Sequence, residues 1–119
     1  MAESRERAAE PEELAVLFVA RWQARDAEGM VALYEEDAVL AYPPGQVTAG
    51  SEALLNLFKT MVEMAPPPAA PEAPMPTVRN GDLALTSTRP SDNTGGRVQV
   101  VRRQPDGSWL RVIDRPEIS

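Results

Sequence analysis

Residues 96–116 read GRVQVVRRQPDGSWLRVIDRP, and this stretch decides the fold. Two β-rich arms, Arg97 to Arg103 and Trp109 to Asp114, flank Gln104-Pro105-Asp106-Gly107-Ser108, where Pro presets one turn torsion and Gly supplies a positive φ. The pattern predicts a hairpin. Alternation along the second arm puts Trp109, Arg111 and Ile113 on one face and Leu110, Val112 and Asp114 on the other. Neither face is purely polar, as expected where a sheet is covered by the chain's own helices on one side and by a partner subunit on the other. Leu110 and Val112 are then the expected partner-facing residues. Five arginines fall between Arg97 and Arg115, against Asp106 and Asp114. They fit ion-paired strand positions or an anion site.

Working outward, residues 1–10 are charged and small, which predicts a frayed tail, and residues 11–119 are expected to form one domain. Pro11 suits a first helical position with Glu12 and Glu13 behind it, and Leu14, Leu17, Phe18 and Trp22 share one face of a helix ending near Arg25. Ala15, Val16 and Val19 widen that stripe until the helix reads as mostly buried. Asp26 is the expected N-cap of a second helix, in which Met30, Leu33 and Tyr34 share a face and Glu35-Glu36-Asp37 closes the run. Ala38 to Tyr42 reads as a strand stopped by Pro43-Pro44-Gly45, with Gln46 to Thr48 returning alongside. Ser51 is the expected cap of a third helix, with Leu54, Leu57, Phe58 and Met61 on its apolar face and an end before Pro66.

Ala65 to Pro76 holds six of the twelve prolines, so it is expected to be an extended, polyproline-like spacer. Thr77 to Arg79, the Asn80-Gly81-Asp82 turn and Leu83 to Thr88 predict another hairpin, and Pro90 to Gly95 a polar loop. Helices followed by a run of strands mean an α+β fold, with three helices packed on one face of a curved antiparallel sheet.

Composition removes several chemistries. With no Cys and no His there is no thiol nucleophile, no imidazole acid–base catalyst and no ordinary nitrogen or sulfur metal site, so neither metal nor cofactor is expected. A net charge of -6 and a pI near 4.6 oppose nucleic acid as a partner. No apolar run approaches the ~18 residues that a membrane span needs, and no signal-like start is present, so the expectation is a cytoplasmic protein without a membrane partner. Arg far outnumbers Lys and Ala is abundant, which fits a GC-rich bacterial genome.

Several phrases then become familiar in order: Arg25-Asp26-Ala27-Glu28-Gly29, Ala32-Leu33-Tyr34-Glu35-Glu36-Asp37-Ala38-Val39, Gly50, Asn80-Gly81-Asp82-Leu83-Ala84, and Arg103-Gln104-Pro105-Asp106-Gly107-Ser108-Trp109 with Asp114. Together they resemble the nuclear transport factor 2-like superfamily, in its SnoaL-like and ketosteroid-isomerase-like branch. The resemblance implies a cone-shaped, cystatin-like fold whose helices and bent sheet enclose an apolar pocket, commonly a homodimer through the outer sheet face.

The resemblance carries the isomerase catalytic positions onto residues that cannot serve. Its general-base carboxylate falls on Tyr42, and a phenol is a poor proton acceptor at neutral pH. Its oxyanion-binding phenol falls on Phe18, and its protonated acid near Val100 or Val101. SnoaL-type cyclases lean on His and Asp, and the Arg-x-Asp start of the epoxide hydrolases of this fold has Arg97-Val98-Gln99 as its nearest match, where Gln99 cannot act as a base. No catalytic residue is therefore assigned. Phe18, Trp22, Tyr42 and Phe58 are candidate pocket-lining residues with Tyr42 as the polar handle, although plain core aromatics give the same pattern. Arg111, if its face is the inner one, points to an acidic or carbonyl ligand, and with the apolar lining the expected partner is an apolar or weakly acidic small molecule. Asp114 would face the other way and pair with Arg97, Arg102 or Arg103, and a bulge in the strand would exchange the two. Against a non-catalytic binding protein stand an enzyme using Tyr42 or Asp114 with Arg111 on a hydrophobic substrate, and a pure dimerisation module without a cavity.

Overall fold

The computed structural model describes residues 5–89 and 96–118, and the polar loop expected over residues 90–95 lies outside the described residues. Helix α1 (Glu13–Gln23) starts two residues after Pro11 and buries Leu14 and Leu17, with Phe18 and Trp22 partly buried against the same core. Val16 is 52% exposed, so the helix presents one apolar stripe and is not mostly buried. Arg25 at φ 57 breaks the helical path, and Asp26 caps α2 (Ala27–Val31) by accepting from the Gly29 N–H. Residues 5–10, marked by composition as a frayed end, instead pack on the fold. Ala8 is 1% exposed and its carbonyl accepts from the Trp109 N–H at 3.0 Å.

Arg5 clamps the Asp26 carboxylate with two hydrogen bonds, Nε to Oδ2 and Nη2 to Oδ1, both 3.0 Å. That clamp, helped by the Gly29 N–H and opposed by burial, holds the Asp26 pKa below its usual value. A lowered carboxyl pKa adds stability that is present above the unfolded-state pKa and is lost as pH falls through the folded one. Asp26→Asn keeps a good capping residue and removes only the charge. Its deficit against wild type, measured by urea unfolding, is therefore expected at neutral pH and to vanish in acid. Gly29→Ala is expected to cost more, about 1–3 kcal/mol, because a Cβ there would sit 2.1 Å from Asp26 Oδ2.

The run expected to continue α2 is instead strand β1 (Tyr34–Leu40), so Tyr34, Glu35, Glu36 and Asp37 leave the helix. Pairing with the sheet overrides the helical spacing: Tyr34 stands opposite Arg111, whose N–H donates to the Leu33 carbonyl. A short β2 (Thr48–Ala49) returns beside β1, and Gly50, not Ser51, occupies the cap position of α3 (Ser51–Met64). Leu54 and Phe58 are the buried residues of α3.

The remaining strands are β3 (Ala73–Pro74), β4 (Val78–Asn80), β5 (Leu83–Arg89), β6 (Gly96–Arg103) and β7 (Trp109–Ile118). Their order is β2-β1-β7-β6-β5-β3, with β4 also on β5. All pairs are antiparallel except β1 with β7, which corrects the expected all-antiparallel sheet to a mixed one. These two strands are joined through α3 and the rest of the sheet, so no hairpin forces them antiparallel. The proline-rich spacer contributes only the two-residue edge strand β3, where a residue without an N–H is tolerated. Three helices on a curved, open sheet make the fold α+β. No helix among the described residues is long and apolar enough to cross a membrane.

The β6–β7 hairpin closes as expected: Gly107 takes φ 88, and Asp106 accepts from the Ser108 N–H and hydroxyl. Those two bonds, with Arg7 alongside, lower the Asp106 pKa to about 2. In β7, Val101 pairs with Arg111 and Val100 with Ile113, so Val112 is an extra residue. This bulge shifts the alternation: Arg111 and Asp114 both turn inward, 5% and 4% exposed, and Ile113 turns outward.

Candidate ligand-binding site

Between α1, α3, the inner sheet face and residues 65–72 lies a cavity of roughly 360 Å³. Phe18, Trp22, Tyr34, Tyr42 and Phe58 are the aromatic part of its lining. Phe18 stands edge-on to Trp22, Tyr34 and Phe58, with ring centroids at 6.1, 6.4 and 5.6 Å. Tyr34 tilts against Phe58 at 5.6 Å. Edge-to-face contacts of this kind lock rings in place and leave a preformed apolar wall.

The polar groups gather on β1, β6 and β7. Tyr34 Oη donates to Asp114 Oδ2 at 2.6 Å, and Arg111 Nη1 donates to Tyr34 Oη at 3.2 Å while lying 3.5 Å from Asp114 Oδ2. Gln99 Nε2 donates to Asp114 Oδ1 at 3.2 Å, and Thr86 Oγ1 donates to Gln99 Oε1 at 2.8 Å. The Arg111 guanidinium also lies 5.0 Å from the Phe18 ring centroid and 5.6 Å from that of Tyr34, so the cation is packed against two aromatic rings.

Burial, reinforced by the Asp114 charge and against the pull of Arg111, raises the Tyr34 pKa well above the ordinary phenol value. The phenol is therefore a fixed donor at neutral pH. For Arg111, burial opposes the charge, but Tyr34 and Asp114 outweigh it and the pKa is raised. Arg111 commits only Nη1: among the described residues no acceptor meets Nη2 or the buried Nε. Trp22 Nε1 is likewise buried without a partner.

Of the six residues singled out from the sequence, Phe18, Trp22, Phe58, Arg111 and Asp114 line this cavity together. Tyr42 also lines it but is 41% exposed, so the buried phenol is Tyr34, not Tyr42. Asp114 does not pair with Arg97, Arg102 or Arg103, which bond Glu72, Glu35 and Asp82. Tyr34, Gln99 and Glu72 are lining residues outside the sequence-based candidates that hold polar contacts, Glu72 lying in the proline-rich spacer. Tyr34 has helical spacing with Met30 and Leu33, which hides it in the sequence, and the Arg97-Val98-Gln99 motif marks Gln99 only as a base that cannot act. Val101 is fully buried and takes no part in the lining. Among the described residues, no group of three or more His, Cys, Asp or Glu is placed to hold a metal ion.

Residues 65–72 close one side of the cavity and are tied down at two points. Gln23 Nε2 donates to the Pro68 and Ala69 carbonyls at 2.8 and 3.0 Å. Glu72 accepts from Arg97 Nε at 2.7 Å and from Thr88 Oγ1 at 3.1 Å, while Arg97 Nη1 donates to the Pro116 carbonyl.

Comparison with known proteins agrees with this architecture. The family model of the SnoaL-like domain matches residues 15–115. A protein from Thiobacillus denitrificans named as a calcium/calmodulin-dependent protein kinase type II association domain superposes with a TM-score of 0.72 at 19% identity, covering 96% of this chain and 100% of its own. A nuclear transport factor 2-like family protein from Streptomyces avermitilis, named as a dehydratase, gives 0.67 at 15% identity over 91% of this chain and 94% of its own. A nuclear transport factor 2-like protein with a cystatin-like fold from Novosphingobium aromaticivorans gives 0.62 at 19% identity over 87% and 75%. At such identities the likeness is one of fold. No functionally curated protein matches the sequence.

Proposed function

The chain belongs to the SnoaL-like domain family, and from that membership and the cavity's geometry we propose that it binds a small, largely apolar molecule bearing a carbonyl oxygen, without transforming it. One observation carries the reading. Asp114 has both oxygens engaged by Tyr34, Arg111 and Gln99, so its capacity as a base is already spent on neighbours, whereas Arg111 keeps donors without protein acceptors. A ligand oxygen accepting from Arg111 completes the cluster. Because Asp114 already balances the Arg111 charge, a neutral carbonyl fits better than a full carboxylate, and a weak acid enters in its protonated form.

Titration calorimetry with octyl methyl ketone, nonane and decanoate tests this. The ketone is expected to bind roughly 10-fold or more tighter than the alkane, the scale of one hydrogen bond to a charged donor, and tighter than decanoate at neutral pH. Arg111→Met combined with Asp114→Leu leaves no unpaired buried charge and should erase the ketone's advantage. Equal affinity of wild type for ketone and alkane, or no binding of either, overturns the reading. Acid–base chemistry, as the name of the Streptomyces neighbour suggests for that protein, would require Asp114 to be freed from its donors. Turnover that Asp114→Asn lowers by ~100-fold would establish that second reading instead.

We further propose a homodimer through the outer sheet face. Val78, Leu85, Val100, Ile113 and Val39 stand in register across β4, β5, β6, β7 and β1 as one apolar row. Val78, Leu85 and Ile113 are 62%, 42% and 49% exposed in the single chain. Leu110 lies on the same face, opposite Arg102, and the bulge substitutes Ile113 for Val112 as its apolar companion.

A further inference from the structure

A second cavity of roughly 230 Å³ lies between the start of α1, residues 71–75 and β5. It shares Ala15, Pro71, Glu72, Thr88 and Gln99 with the first. The two spaces therefore abut, and Glu72 is the only charged residue common to both linings. Its carboxylate is held at that boundary by Arg97 and Thr88, one on β6 and one on β5. Beyond it, Ala15, Val16, Ala73, Pro74 and Met75 give the second cavity an apolar wall, with Glu12, Thr77, Thr86 and Ser87 as its polar remainder.

We propose that Glu72 is the divider that sets ligand length, and that the second cavity is a latent subsite for an aliphatic tail. This rests on the carbonyl-binding reading above. With Glu72 in place a ligand headed at Arg111 is confined to the first cavity, because the side chain, pinned by Arg97 and Thr88, takes up the passage between the two spaces. Without it, methylene groups continue beneath residues 71–75 into the second cavity.

The test is an affinity series of methyl ketones with alkyl chains from hexyl to tetradecyl, measured by calorimetry on the full chain. Wild-type affinity is expected to rise about fourfold per methylene and then level off at the chain that fills the first cavity. Glu72→Ala is expected to move that plateau several methylenes further, so that the tetradecyl ketone binds at least ~10-fold tighter than to wild type. Glu72→Ser removes the same bulk and should act alike if the alanine variant folds poorly. Glu72→Gln keeps the size and the Thr88 and Arg97 contacts, and should retain the wild-type plateau. A plateau unmoved in the alanine and serine variants overturns this inference while leaving the binding reading intact. An equal shift in Glu72→Gln overturns it too, because charge and not bulk would then set the limit. Failure of wild type to bind any ketone overturns the binding reading, and this inference with it.

Discussion

Asp114→Ala is expected to destabilise the fold by about 3–5 kcal/mol, the scale for removing one partner of a buried ion pair. The loss exceeds that of an ordinary surface contact because Arg111 has no substitute. It is 5% exposed, and its nearest other groups are the Tyr34 hydroxyl and the Phe18 and Tyr34 rings. Tyr34 and Gln99 also lose their acceptors, and each buried donor left unsatisfied adds its own cost. Total stabilities of small domains run about 5–15 kcal/mol, so this one change should leave a visible unfolded population. Urea unfolding at neutral pH measures it. Tyr34→Phe removes one donor and leaves the ion pair, so its cost is expected to be near 1–3 kcal/mol. Arg111→Met with Asp114→Leu eliminates both charges and should recover most of what Asp114→Ala loses. A loss under about 1 kcal/mol in Asp114→Ala would mean that water enters the cluster and screens Arg111, and the proposed donor role would fail with it.

The same cluster separates what the sequence made legible from what it did not. Local signals read correctly: Asp26 as a cap, Gly107 in the hairpin turn, and the apolar stripe of α3 through Leu54 and Phe58 are all set by a few adjacent residues. The aromatic wall followed from those helices, because the periodicity that buries Phe58 also turns Phe18 and Trp22 toward it. Tyr34 failed for the opposite reason. It has helical spacing with Met30, and only its partner Arg111, far along the chain, turns it into a strand residue. The Val112 bulge leaves no mark in composition, since Val-Ile is as good a strand dipeptide in register as out of it. Strict alternation therefore separated Arg111 from Asp114, and the bulge placed them 3.5 Å apart. The parallel pairing of β1 with β7 is invisible for the same reason as Tyr34: it is a property of two segments far apart in the chain.

That bulge links the cavity to the outer face, because the step that turns Asp114 inward also turns Ile113 outward into the apolar row, between Val100 and Val39. Ile113→Asp is accordingly expected to convert a dimer into a monomer while leaving the single chain folded. In the isolated chain Ile113 is 49% exposed, so a carboxylate there stays hydrated and the folding cost should be limited to about 1–2 kcal/mol of lost packing and strand propensity. In a two-fold symmetric dimer the same residue occurs twice in one interface, and each copy would be desolvated beside Val100, Val39 or their symmetry equivalents, with Arg115 two residues along the same face as a neighbouring cation. With Arg115 offsetting part of the cost, about 3 kcal/mol for the two desolvated copies, at tenfold per 1.4 kcal/mol, weakens association by at least ~100-fold. Sedimentation velocity over a dilution series reads this directly, with calorimetric ketone binding as the check that the cavity survives. A wild type that is monomeric at every concentration refutes the dimer, and an Ile113→Asp variant that stays dimeric moves the interface off this face. If the variant dissociates and also loses the ketone, the bulge transmits the partner's presence to Asp114, and the outer face supports the site it backs.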